Sequence, residues 1–195
     1  MTGTWATDWA TNDVVTAAEF RKSVGCVFDS TLGGAAASID ITGIPTTYAH
    51  LMVLVYGRGD SASTAINVNA RLNNDSATNY GWQYVSASGS TASAADQGAA
   101  AVTSILLGQL PAASAPANVF GQINTELAHY ANATNQKTLS ARSLERTAAI
   151  AASSMTIFTL GGVWTGTAAI NRITLFPASG NFVAGTRASV YVMGS

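Results

Sequence analysis

The stretch Ile66-Asn-Val-Asn-Ala-Arg-Leu72 decides the fold class. In an extended chain Ile66, Val68, Ala70 and Leu72 fall on one side, and Asn67, Asn69 and Arg71 on the other. A period of two means a strand with one face in a core and one in water. Asn73-Asn74-Asp75 follows at once as a turn. Upstream, Ile39 and Ile41 alternate with Ser38 and Asp40 ahead of the Gly43-Ile44-Pro45 break. The run Leu51-Met-Val-Leu-Val-Tyr56 is continuously apolar and predicts a strand covered on both faces. Downstream, Tyr80–Val85, Val102–Leu110, residues 119–127, Lys137–Arg146, Met155–Leu160, Ile170–Phe176 and Ala188–Met193 read as further strands. Residues 86–101 are rich in Ser, Ala and Gly and read as a long loop.

Roughly nine or ten short strands with regular turn signals, and no helix long enough for a parallel crossover, predict an all-β protein. The expected architecture is an antiparallel β-sandwich, jelly-roll-like from its strand count. Residues 1–26 stand apart as a docking arm, leaving 27–195 as the sandwich domain. Thr16-Ala-Ala-Glu19 matches a capping box and predicts a short helix to about Val24, with Phe20 and Val24 on one face. Trp5 and Trp9 lie ahead of it with no strand alternation. Trp5, Trp9 and Phe20 are the candidate apolar anchors for a partner, the alternative being that they cover the end of their own domain.

Composition narrows the function. The chain has 195 residues, 48% hydrophobic but only 10% charged, with a net charge of −1. A typical domain is ~25% charged. Nine Lys+Arg scattered along the chain make no basic face for a phosphate backbone, so no nucleic-acid partner is expected. No apolar run is long enough to span a bilayer. The start, Met1-Thr-Gly-Thr-Trp5, has neither the basic nor the apolar part of a secretory signal, so synthesis in the cytoplasm is expected. A lone Cys26 with His50 and His129 makes no zinc site, and no cofactor is expected. A neutral surface limits the solubility of a free monomer and suits a subunit covered by copies of itself.

The chemistry-bearing residues point to binding rather than catalysis. There is no nucleophile elbow, phosphate loop or zinc-protease motif. Asp29, Asp60, Asp75 and Asp96 fall in turns or loops, with nothing that pairs them for glycoside hydrolysis. Arg58-Gly59-Asp60 reads as a charged turn. Asn73, Asn74 and Asp75 read as an Asx turn rather than a calcium site. Trp82 and Tyr84 share a face if their segment is a strand. With Trp164 they are the candidate glycan contacts, the competing reading being core or subunit interface.

Five segments, in order, resemble structural proteins of tailed bacteriophages. They are Asp13-Val-Val-Thr-Ala-Ala-Glu-Phe20, Ser38-Ile-Asp-Ile-Thr-Gly-Ile-Pro-Thr-Thr-Tyr-Ala-His-Leu51, and Arg71-Leu-Asn-Asn-Asp-Ser-Ala-Thr-Asn-Tyr-Gly-Trp82. The fourth is Pro111-Ala-Ala-Ser-Ala-Pro-Ala-Asn-Val-Phe-Gly121, and the fifth runs from Ile170 through Gly180-Asn-Phe182 to Tyr191. Arg21 departs from the pattern, which has Asn there. The resemblance implies a non-enzymatic virion protein, commonly homotrimeric, on the exterior of the head or tail. Capsid decoration or cement, head fibre, minor tail protein and tail fibre are all names used in this group. The expected partners are further copies of the chain and the major capsid protein or another virion protein. In a receptor-binding subunit, host-surface glycans would be added.

Overall fold

The computed structural model describes residues 24–147 and 155–194. Twelve strands and no helix occur among them. They are β1 (Val24–Thr31), β2 (Ile39–Ile41), β3 (His50–Gly57), β4 (Ala65–Leu72), β5 (Tyr80–Ser88) and β6 (Thr91–Val102). Then follow β7 (Ile105–Pro111), β8 (Gly121–Ala128), β9 (Lys137–Arg146), β10 (Met155–Trp164), β11 (Ile173–Pro177) and β12 (Arg187–Met193). One sheet has eight strands, β1-β12-β3-β8-β9-β10-β5-β6, and the other four, β2-β11-β4-β7. All neighbours are antiparallel.

The expected all-β antiparallel sandwich is the observed fold, and its strand order is that of a jelly roll. With the hairpins β5–β6 and β9–β10 set aside, eight strands remain. Renumbered in sequence, they form one sheet of order 1-8-3-6 against another of order 2-7-4-5. The two hairpins add to one edge only, so the large sheet carries a four-stranded wing, β9-β10-β5-β6. Strand β7, at the edge of the small sheet, packs on β8, β9 and β10. The small sheet therefore ends part-way along the wing.

The inner faces build one core. Leu51, Val53 and Val55 of β3, Ile123 and Leu127 of β8, and Val190 and Val192 of β12 meet Ile66, Val68 and Leu72 of β4 and Ile173 and Leu175 of β11. The period of two in 66–72 is thus read correctly. Residues 86–101 are not a loop. They finish β5 and form most of β6, turning on Gly89, whose φ of 57° suits the glycine of a tight hairpin. Strand β1 already begins at Val24, ahead of the expected domain start at residue 27. The expected helix runs to about Val24, but Val24 is in β1; the rest of it lies outside the described residues, as do Trp5, Trp9 and Phe20.

Polar clamps hold the two ends of the sandwich. At one end the Arg58 guanidinium donates to four backbone carbonyls of the segment after β7: Pro116 at 2.6 Å, Ala115 at 2.8 Å, Val119 at 3.1 Å and Ala113 at 3.2 Å. Two residues on, the Asp60 carboxylate accepts from the Asn181 backbone N–H at 2.6 Å and from its side-chain amide at 3.0 Å. Gly59 between them leaves room for the buried Ile66 side chain, which a Cβ there would force to shift. At the other end Asn73 donates to Ala169 O and accepts from the N–H groups of Asn171 and Arg172. Asp75 accepts from Ala77 N–H, the Asn79 amide and the Trp164 indole.

Lysine at position 58 keeps the charge but cannot serve four carbonyls in a fixed fork. Arg58→Lys is expected to destabilise the fold by about 2–3 kcal/mol, close to the cost of Arg58→Ala. Urea unfolding followed by tryptophan fluorescence measures both; a lysine variant as stable as the native protein would contradict the clamp.

Candidate functional site: the outer face of the large sheet

Strand alternation decides which side chains leave the core. On β3 the buried set is Leu51, Val53 and Val55, which puts Met52, Leu54 and Tyr56 on the opposite face. On β9 the set Leu139, Ala141, Ser143 and Glu145 is buried, which puts Arg142, Leu144 and Arg146 outside. Registers then align Tyr56 with Gln122, Gln122 with Leu144, and Leu144 with Ile157. The result is one row across β3, β8, β9 and β10. Tyr56, Val85, Leu144, Met155 and Ile157 all lie on this face, and each is 48–57% exposed. Nothing among the described residues covers it. The expectation that the Leu51–Tyr56 run is covered on both faces is corrected here: outward-facing Met52 and Leu54 are half-buried and Tyr56 is exposed.

Two depressions mark the same face. One, of about 340 Å³, is bounded by Tyr56, Phe120, Gln122, Leu144, Arg146 and Met155. The Phe120 ring stacks on Tyr56 at 5.3 Å with 21° between planes. The other is a shallow trough of about 570 Å³ over β5 and β10, bordered by Gln83, Asp96 and Thr159. Gly161 lies in its floor with open space where a Cβ would be. An exposed apolar row with an aromatic pair is the surface chemistry of a protein interface. Its signal was present in the sequence as the second apolar phase of Leu51–Tyr56.

The sequence-predicted aromatics are separated by the fold. Trp82 and Tyr84 do share a face, stacked at 5.8 Å and 21°, with Phe158 edge-on to Tyr84 at 5.1 Å. They are half-buried against the core on the inner side of the wing, and both also border the trough. Trp164 does not join them. It is 4% exposed, its indole N–H donates to Asp75 at 2.7 Å, and its ring lies against Tyr80. Its faces are closed to a sugar ring.

The carboxylates are held apart in separate networks. Arg187 at 2.6 Å, helped by Ser189, brings Asp29 down to about 2. Arg172 at 2.7 Å likewise lowers Asp40. The Asn181 N–H lowers Asp60. Burial alone would raise Asp75, but its hydrogen bonds from Asn79, Trp164 and Ala77 outweigh that. His50 and His129 meet edge-on at 5.3 Å. Among the described residues no three His, Cys, Asp or Glu side chains cluster as metal ligands, and no helix is long and apolar enough to cross a membrane.

No family model and no curated protein matches the chain. Among solved structures it is similar to an exo-inulinase from Aspergillus awamori, at 9% identity and a TM-score of 0.37. That likeness covers 87% of this chain and 29% of the inulinase, and it carries no argument about function.

Glu145 points inward from β9, 2% exposed, and its Oε2 has no hydrogen-bond partner. Burial pushes its carboxyl up from 4.5 to about 7. The folded protein therefore keeps this proton to near-neutral pH, while the unfolded chain releases it near 4.5. Its contribution to stability is complete below the unfolded value and is lost as pH rises through the folded one. Glu145→Gln is expected to remove that loss. Between pH 4 and pH 8 the stability difference should move by about 2–3 kcal/mol in favour of glutamine. Urea titrations of both proteins across that range check it; parallel curves would show Glu145 ionised in the folded state.

Proposed function

We propose that this chain is a non-enzymatic structural subunit of a bacteriophage virion, a homotrimer that decorates the capsid exterior as a cement or head-fibre protein. The observation that carries the reading is the outer face of the large sheet: exposed Tyr56, Leu144, Met155, Ile157 and Val85 on four of its strands, with Gln122 between the first two, in a chain of net charge −1. Such a face is poorly suited to water and well suited to burial against further copies or a shell. The jelly roll supports it by analogy alone, since viral shells and lectins both use that architecture. In this reading residues 1–26, with Trp5, Trp9 and Phe20, hold the major capsid protein or another virion protein, and the sandwich supplies the contacts between copies. Added interface area strengthens a shell against the pressure of packaged DNA. No cofactor, nucleic acid or membrane is required.

A second reading, a minor tail or tail-fibre receptor-binding subunit, is favoured by one observation. The half-buried Trp82–Tyr84 stack lies where the small sheet no longer covers the wing, and planar aromatics of that kind bind sugar rings. Quenching of the native protein's fluorescence by host-surface glycans, absent in Trp82→Phe, is its signature.

Gold-labelled antibody against the chain, applied to intact particles and viewed by electron microscopy, tests the proposal. Label over the head is expected; label confined to the tail moves the reading to the receptor-binding subunit, and unlabelled particles overturn both. The double variant Leu144→Lys, Ile157→Lys alters only exposed side chains and should unfold within about 0.5 kcal/mol of the native protein. It is expected to lose the three-fold association in light scattering and to leave particles undecorated. Normal decoration by this variant would remove the outer face from the argument.

A further inference from the structure

Each sheet has two edges, and three of the four are protected against pairing with another chain. Strand β2 is only three residues long. Strand β7 carries a bulge opposite Val68/Asn69 and ends in Pro111. Strand β1 is bulged between Cys26 and Phe28. Short strands, bulges and proline are the usual means of blunting a sheet edge. The fourth edge, β6, has none of these over Thr91–Gln97, which runs in unbroken register with β5. It contains no Pro, Lys or Arg, and its one ionisable residue is Asp96. Every residue from Thr91 to Ala101 is exposed, on both faces of the strand. Among the described residues nothing pairs with its outer edge, and a ribbon with both faces in water gains little from its own folding.

The ladder fixes which backbone groups are free. Ser88 and Thr91 flank the two-residue turn and exchange hydrogen bonds with each other, so alternate pairs beyond them do the same. The N–H and C=O groups of Ala92, Ala94 and Asp96 therefore point away from β5. These three residues are evenly spaced about Ala94. A two-fold axis there would set Ala94 against Ala94 of the partner subunit, and Ala92 against Asp96 of the partner subunit. All three free pairs are then satisfied, with only small side chains and no like charges opposed.

We propose that β6 pairs edge to edge with β6 of a second copy of this chain, antiparallel and centred on Ala94. The large sheets of the two copies join into one. The contact uses the edge of the sheet and leaves the outer face free, so it stands whether or not the subunit belongs to a virion.

The test uses the full chain with Cys26→Ser, which removes the exposed native thiol. In this register the two Ala94 Cα atoms lie about 5.5 Å apart, within the ~4.4–6.8 Å span of a disulfide. Ala94→Cys should give a disulfide-linked dimer on mild oxidation, faster than Ala87→Cys, which is exposed on the neighbouring strand. Ala94→Lys places like charges on the axis and should halve the mass seen by sedimentation at micromolar concentration, whatever other contact the chain makes. Its free N–H and exposed side chain play no part in the β5–β6 ladder, so circular dichroism should match the native protein. Equal crosslinking at positions 87 and 94, or an unchanged mass for Ala94→Lys, would overturn the proposal. A mass of one chain for the unmodified protein would do the same.

Discussion

The guanidinium of Arg58 is the contact on which the arrangement of this sandwich most depends. It leaves the end of β3, a central strand of the large sheet, and gathers four carbonyls of the segment that carries the chain from β7 to β8. Those carbonyls lie in a stretch of small residues and prolines, Ala112 to Asn118, with no strand partner of its own. A neutral side chain would leave several of them unsatisfied. Asp60, two residues further, fixes the Gly180-Asn181 turn that delivers β12 to the large sheet. One tripeptide thus closes the end of the sandwich where three crossing connections meet.

The opposite end is closed by Asn73 and Asp75, with a different consequence. The bond from the Trp164 indole to Asp75 ties the end of β10 to the turn after β4. Tyr80, at the start of β5, places its hydroxyl against Leu72 and Asp75 in the same turn. Both inserted hairpins are thereby anchored at one root, and from there they extend past the small sheet. The eight-against-four mismatch follows from this anchoring. With it come a half-covered Trp82–Tyr84 stack and an edge strand that none of the described residues protects.

How much of this is legible in the sequence depends on where each interaction's partner lies. Alternation in Ile66–Leu72 needs only near neighbours, and it predicts the sandwich correctly. β6 is illegible because Thr, Ala, Ser and Gly have no apolar phase; its register comes from the Gly89 turn and from β5. Arg58-Gly59-Asp60 reads as a plain charged turn because its partners are 55 to 121 residues away. The run Leu51–Tyr56 shows two apolar phases, but sequence cannot say that the second meets solvent in the isolated subunit. Trp164 looks like a ring available to a sugar until its indole is seen to be spoken for. The segments Arg71–Tyr80 and Pro111–Gly121, recognised by resemblance, prove to be the two clamps. Their residues are set by hydrogen-bond geometry, so the likeness says more about the fold than about any ligand.

The distribution of charge completes the argument. Of the few ionisable groups, Asp29 with Arg187 and Asp40 with Arg172 form ion pairs. Arg58, Asp60, Asp75 and Lys137 are committed to hydrogen bonds within the fold. Arg71 lies over the Phe176 ring. Among the described residues the exposed charges outside these contacts are few, chiefly Asp96, Glu126 and Arg142. Recognition by such a surface has to come from contact itself: the shape of an apolar row and the direction of unpaired backbone groups. Both demand close, repeated geometry of the kind that identical subunits in a symmetric assembly provide. One unblunted sheet edge and one largely apolar outer face on a low-charge chain therefore favour the proposed assembly with further copies over recognition of a soluble partner at a distance.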